Sequence, residues 1–259
     1  MDWRSTHTRT PAASPANAGY IAAQYVLGGS DRTIFAYSSQ QVSMQIGSTY
    51  VTGTSSTPIG QWSHVAWVRS GNGTNNWTIY VNGFACGQMT YTGTYQATNL
   101  TIGATPNLSS TGFPGYISNF RILKGTALYT SSFTPSTASL TAITNTALLT
   151  CQSNRFVDNS ASPYTISISG SPKVQTFSPF PSTTTYSAST NGGGAYFDAS
   201  GDYLNAGSNA AFAFGTGAYT VECWVYPTSI SQQCYVTMDT TGGSVFYFET
   251  SGNAGFTIA

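Results

Sequence analysis

The run GQWSHVAWVRSGNGTNNWTIYVNG, residues 60–83, constrains the fold more than any other stretch of the chain. Trp62, His64, Ala66 and Val68 alternate with Val65 and Trp67 at the period of a β-strand, and both sets carry apolar residues. A strand that is apolar on both sides belongs in the middle of a sheet with cover over each face. Trp77, Ile79 and Val81 then share one face of a second strand, with Thr78, Tyr80 and Asn82 on the other. Asn82-Gly83 supplies the positive φ angles of a two-residue turn, so a hairpin is expected from Trp77 to about Gly87. Trp62, Trp67 and Trp77 read as core, and His64 as a packed, hydrogen-bonded core residue.

Nearly every other apolar run is short, β-branched or aromatic, and bounded by Gly, Asn, Ser or Pro. That is the pattern of many strands joined by tight turns. TPSTASLTAITNTALLTC comes nearest to a helix, but its Thr and Ser density limits it to a short helical turn. Aromatic residues at 14% and hydrophobic residues at 40% set the chain apart from disordered sequences. The expected class is all-β, and 259 residues can build one large sandwich.

Charged residues are only 6% of the chain and the net charge is zero, so no long-range field gathers phosphates and nucleic acid is not an expected partner. Residues 1–19 read as a loose tail without the apolar segment of a signal peptide or a membrane span, and no membrane contact is expected. Cys86, Cys151, Cys223 and Cys234 form no CxxC pair and have no His at metal-ligand spacing. Cys223 and Cys234 flank a turn and could face each other across a hairpin. Free buried thiols are the favoured reading.

QWSHVAWVRSG…NNWTIYVNG, followed by LTIGATPN…GFPGYISNFRILKGTALY, resembles the laminin-G-like branch of the concanavalin A-like lectin/glucanase superfamily. There a W-x-H-V-A-x-V-R strand, a Y-V-N-G hairpin and a G-x-I-x-x-x-R-I closing strand recur in this order. The resemblance implies a jelly-roll sandwich of two antiparallel sheets. A later stretch, GAYFDASGDYLNAG with AYTVECWVYP, resembles the opening strands of the same domain. The chain therefore holds the back of one jelly roll at 20–135, and a junction plus the front of a jelly roll at 136–259.

YVLGGSDRTIFAYSSQQVSMQI from Tyr25 and YVTMDTTGGSVFYFETSGNAGFTI from Tyr235 form a weak internal repeat. Neither half buries a complete sandwich, which leaves three arrangements. The chain is a segment of a tandem array, or its halves complement each other as a circularly permuted domain, or each chain lends its front to a neighbour's back. The first two are favoured over the exchange.

Glucanases of this fold place two or three acids on one strand, because retaining hydrolysis needs two carboxyl groups about 5 Å apart. The chain has two glutamates, Glu222 and Glu249, and no E-x-D or D-x-E pair. Glu222 reads as a polar residue on a solvent-facing side of its strand. There is no G-x-S-x-G elbow, His7 lies in the tail, and NGGGAYFD is a turn before a strand. No enzymatic activity is expected.

Lectin-like jelly rolls commonly hold calcium through loop oxygens. The resemblance makes Asp198 and Asp202 candidates, with Asp31 and Asp239 behind them, against the plainer reading of Asx-turns. For a glycan, Asn72, Asn76, Tyr91 and Tyr95 sit in suitable loops. The junction LLTCQSNRFVDNS and the low charge resemble structural and receptor-binding proteins of marine tailed bacteriophages. That likeness implies a non-enzymatic virion surface protein, a tail fibre or head-associated adhesin released on lysis. Its expected partners are host or environmental glycans and other virion subunits, with a homo-oligomer expected. The alternative is a purely architectural decoration or filament subunit with no sugar ligand.

Overall fold

A computed structural model describes residues 19–25, 32–38, 40–46, 49–93, 99–104, 112–153, 155–180, 193–198, 200–212, 216–229, 233–237, 245–248 and 254–257. The chain is all-β. Its strands are β1 (Gly19–Tyr25), β2 (Arg32–Ser38), β3 (Gln41–Ile46), β4 (Thr49–Ser56), β5 (Ser63–Arg69), β6 (Trp77–Val81), β7 (Phe84–Met89), β8 (Asn99–Ile102), β9 (Pro114–Lys124), β10 (Thr146–Thr150), β11 (Ser167–Ser169), β12 (Lys173–Gln175), β13 (Gly194–Asp198), β14 (Tyr203–Ser208), β15 (Tyr219–Pro227), β16 (Gln233–Thr237), β17 (Val245–Phe248) and β18 (Ala254–Thr257). One sheet runs β11-β14-β8-β16-β2-β3-β4, with β1 also on β2. The second runs β12-β13-β9-β15-β5-β6-β7, with β10 also on β9. Within both sheets the described strands pair antiparallel.

The strand from the opening motif is central as its double-sided pattern requires: β5 lies between β15 and β6, and all seven of its residues are buried. Val65 and Trp67 face the core between the sheets with Trp77, Ile79, Val81, Leu100, Ile102 and Phe197. His64, Ala66 and Val68 face outward under residues 127–133, where Ala127, Tyr129 and Phe133 cover Ala66, Val68 and Tyr80. The β6–β7 turn places Asn82 at φ 50° and Gly83 at φ 85°, the pair of positive angles that Asn-Gly favours. Gly83 is required for space as well, since a Cβ there would fall on the Phe133 carbonyl.

The strands at 194–227 lie in the same sheet as those at 63–124. β15 sits between β9 and β5, and β13 pairs with β9. Three expectations change. Residues 134–145 run as bends and turns without helix, and the short helical turn is instead at Ala210–Phe212. Cys223 and Cys234 are not hairpin partners, because β15 belongs to the second sheet and β16 to the first. Cys223 is a free, buried core thiol, as are Cys86 and Cys151. Trp62 lies just before β5, half-buried on the outer face of the sheet and not in the core. Among the described residues no helix is long and apolar enough to cross a membrane.

Candidate functional site

The outer face of the second sheet carries two neighbouring clusters. Alternation along β15 sends Tyr219, Val221, Cys223 and Val225 into the core and leaves Glu222, Trp224 and Tyr226 on the outer side. Cross-strand register then sets Glu222 beside Arg121 of β9 and Trp224 beside His64 of β5.

Glu222 is fully buried, which corrects its reading as solvent-facing. Four donors surround it. Arg121 donates from Nε to Oε1 at 2.7 Å and from Nη2 to the same oxygen. The Tyr129 hydroxyl donates to Oε2 at 2.7 Å, and His64 Nε2 to Oε2 at 3.1 Å. Arg121 Nη1 is satisfied by the Thr141 carbonyl at 3.0 Å. Burial alone would raise the Glu222 carboxyl. His64, Arg121 and Tyr129 outweigh it, and the group lies below its ordinary value. Burial, reinforced by the Glu222 charge, pushes the Tyr129 phenol far up. Phe133 stacks on Tyr129 at 3.6 Å between ring centres and closes the cluster against water, with the edge of His64 against it. His64 is the packed, hydrogen-bonded residue expected of it, and its Nδ1 has no partner among the described residues.

Beyond Trp224 the same face opens. Trp62, Tyr116, Tyr226 and Phe177 interlock at 4.8–6.4 Å between ring centres, and Tyr196 joins through Tyr116 at 5.0 Å. All are partly exposed, Phe177 the most at 40%. Gly194 makes room beneath: a Cβ there would meet the Phe177 carbonyl at 2.7 Å and the Trp62 ring at 3.5 Å. Among the described residues the buried indole nitrogens of Trp62 and Trp224 have no hydrogen-bond partner. The result is a shallow, half-exposed aromatic floor edged by phenol groups.

The loop residues considered for a glycan gather around another buried cation. Arg69 donates to Asn72 Oδ1 at 2.9 Å and to the Tyr91 carbonyl at 3.2 Å, and it packs over Trp77 at 5.6 Å. Asn76 is buried, and its amide binds the Gly71 carbonyl and both backbone groups of Tyr91. Asn72 is exposed and Tyr91 half-buried. Tyr95, Asp31 and Asp239 lie outside the described residues.

Asp198 and Asp202 are brought together in a turn. Asp202 is buried and accepts from the Ser171 and Asp198 amides, while Asp198 Oδ1 accepts from the Ser200 amide at 2.7 Å. Burial is the largest influence on Asp202 and pushes its carboxyl up, against those donors. The Asp198–Ser200 contact is of Asx-turn type, and Asp202 ties its turn to the amide of the distant Ser171. Asp158 of the junction motif does the same work, accepting from the Leu149, Ser160 and Tyr164 amides. No group of three or more His, Cys, Asp or Glu able to hold a metal occurs among the described residues.

The aromatic floor and the Glu222 cluster are the features that alternation alone did not reveal. The signal for the cluster was present, because a charge within an apolar strand is seldom fully buried unless paired. In a chain with so little charge, Arg121 in GYISNFRIL and Glu222 in YTVECWV are each other's evident partner. Comparison with known families matches the Laminin_G_3 model, described as the concanavalin A-like lectin/glucanases superfamily, over residues 3–132. Comparisons with curated proteins and with solved structures gave no match.

Proposed function

Since the chain belongs to the concanavalin A-like lectin/glucanase superfamily, we propose that it binds carbohydrate without cleaving it, through the aromatic floor of Trp62, Tyr116, Phe177, Tyr196 and Tyr226. The observation that carries this reading is the partial exposure of interlocked rings on a sheet face that is sealed a few residues away. A pyranose ring has apolar C–H faces and a hydroxyl rim. Trp and Tyr offer the matching pattern of apolar body and polar tip at low entropic cost. The rings of the floor are themselves uncharged and suit a neutral glycan, with Asp198 and Asp202 at the edge beside Tyr196.

Hydrolysis is poorly supported. The buried Glu222 carboxylate is engaged by Arg121, Tyr129 and His64, and the Asp198–Asp202 pair is engaged by backbone amides. In this reading the protein acts as a virion-surface adhesin, a tail fibre or head-associated protein. The support for that setting is the likeness of its junction motif and composition to phage structural proteins.

A glycan array probed with the full chain tests the binding. Neutral glycans are expected to bind, and binding is expected to survive chelation of divalent cations. Trp62→Ala with Tyr116→Ala is expected to abolish it. An array on which nothing binds, or binding undiminished in the double variant, defeats the reading.

A further inference from the structure

NGGG at 191–194 reads from the sequence as a turn before a strand, and the structure gives two of its glycines a further use. A Cβ on Gly193 would stand 2.5 Å from the Gln175 carbonyl oxygen, and one on Gly194 would stand 2.7 Å from that of Phe177. Neither glycine takes a left-handed backbone, so what they supply is space. The chain that uses this space is residues 176–180, which leave β12 and run onto the outer face of the second sheet.

Two phenylalanines hold this segment in place. Phe177 lies against Trp62, Tyr116 and Tyr226 at 4.8–5.3 Å between ring centres, and Phe180 lies against Trp224 at 5.5 Å. Among the described residues the segment makes no hydrogen bond to the sheet; the Phe180 amide donates to Ser178 Oγ at 3.3 Å, within the segment itself. A strap held by ring contacts alone, with Phe177 40% exposed, belongs to the low end of local stability. Trp62 and Trp224, on which it rests, are also the tryptophans of this face whose buried indole nitrogens have no acceptor among the described residues. A buried N–H without an acceptor is unfavourable, and an oxygen brought to it removes that penalty.

We propose that residues 176–180 are a displaceable strap, and that the glycan takes its place on Trp62, Tyr116, Tyr226 and Trp224, its hydroxyl oxygens accepting from the two indole N–H groups. This rests on the carbohydrate reading and assigns Phe177 to the part that moves. A phenyl ring lying on three of these four rings uses the apolar surface that a pyranose face needs, so the two exclude each other. Both unpaired groups are donors, so the ligand groups that meet them are oxygens. Apparent affinity is then reduced by the fraction of molecules in which the strap is lifted.

Two variants of the full chain loosen the strap and keep the four rings. Gly194→Ala sets a methyl group against the Phe177 carbonyl. Phe177→Ala with Phe180→Ala removes the ring contacts and leaves the β12–β13 pairing as it is, so it decides the matter should Gly194→Ala disturb the sheet. Solvent exchange of the Trp62 and Trp224 indole N–H groups, followed by NMR, reads the strap with no glycan added. Exchange is expected to be about tenfold faster in both variants, as for a lifted state that fills about a tenth of the unaltered molecules. Unchanged rates in folded variants overturn the strap. The glycan array reads the occupant. Glycans that bind the full chain are expected to bind both variants about tenfold more tightly. Trp224→Phe, which keeps a ring and loses the N–H, is expected to bind them about tenfold more weakly. Strap variants that bind no more tightly, or Trp224→Phe that binds no less, overturn the proposal. An array blank for every protein overturns the glycan as occupant, whereas the exchange rates stand or fall with the strap itself.

Discussion

The two ends of the outer face of the second sheet share strands and differ in what lies over them. At the His64 end, residues 127–133 seal a carboxylate among four donors. At the Trp62 end, aromatic rings cover one another only in part, and among the described residues two buried indole nitrogens go without acceptors. The sealed end commits its polar atoms to the fold, so changes there are expected to appear as stability. The open end leaves its rings partly exposed, so changes there are expected to appear as binding. This division can be broken at either end.

The largest effect is expected from Glu222→Leu. It leaves the Arg121 guanidinium buried without its counter-ion, a loss of about 3–5 kcal/mol measured by urea denaturation. A loss below about 1 kcal/mol, the range of exposed ion pairs, would show that water reaches the cluster. Acid comes next. The Glu222 carboxyl titrates below its unfolded value, so its contribution is complete above the unfolded pKa, about 4.3, and is lost as pH falls through the folded one. The urea midpoint should therefore hold from neutral pH to about 5 and fall below about 4, and Glu222→Leu should flatten that acid limb.

At the open end, Trp62→Ala should cost less, about 1–2 kcal/mol, because only part of the ring is buried. It should nonetheless reduce glycan binding, which Glu222→Leu at a temperature where it stays folded should not. Equal effects of both variants on binding would dissolve the distinction between the two ends.

Legibility in the sequence follows the same line. The centrality of β5 and the turn at Asn82-Gly83 are local facts: a period of two with apolar residues on both sides, and a dipeptide suited to positive φ. The cover over the outer face is not local. Residues 125–141 have no periodicity that predicts where they lie, so alternation placed Glu222 on the correct side of β15 without showing that Tyr129 and Phe133 close over it. Trp62 misled for the converse reason. It shares the period of β5 but stands past the edge of that cover, where the same outward face meets Phe177 and Tyr226.

The smallest effect expected bears on the acids beside the floor. Asp198 and Asp202 lie one turn from Tyr196, close enough that both carboxylates raise its phenol, though burial is the larger cause. If they held calcium, the ion would organise the floor, and Asp198→Ala and chelation would each lower the melting temperature and weaken binding. Their contacts are those of turn building. Asp202 accepts two backbone amides and Asp198 one, and among the described residues no group of three or more His, Cys, Asp or Glu surrounds them. Asp198→Ala should thus cost about 0.5–1 kcal/mol, the worth of one exposed turn contact. Chelation should leave the melting curve where it was, and a shift on chelation that Asp198→Ala abolishes would move this turn from scaffold to site.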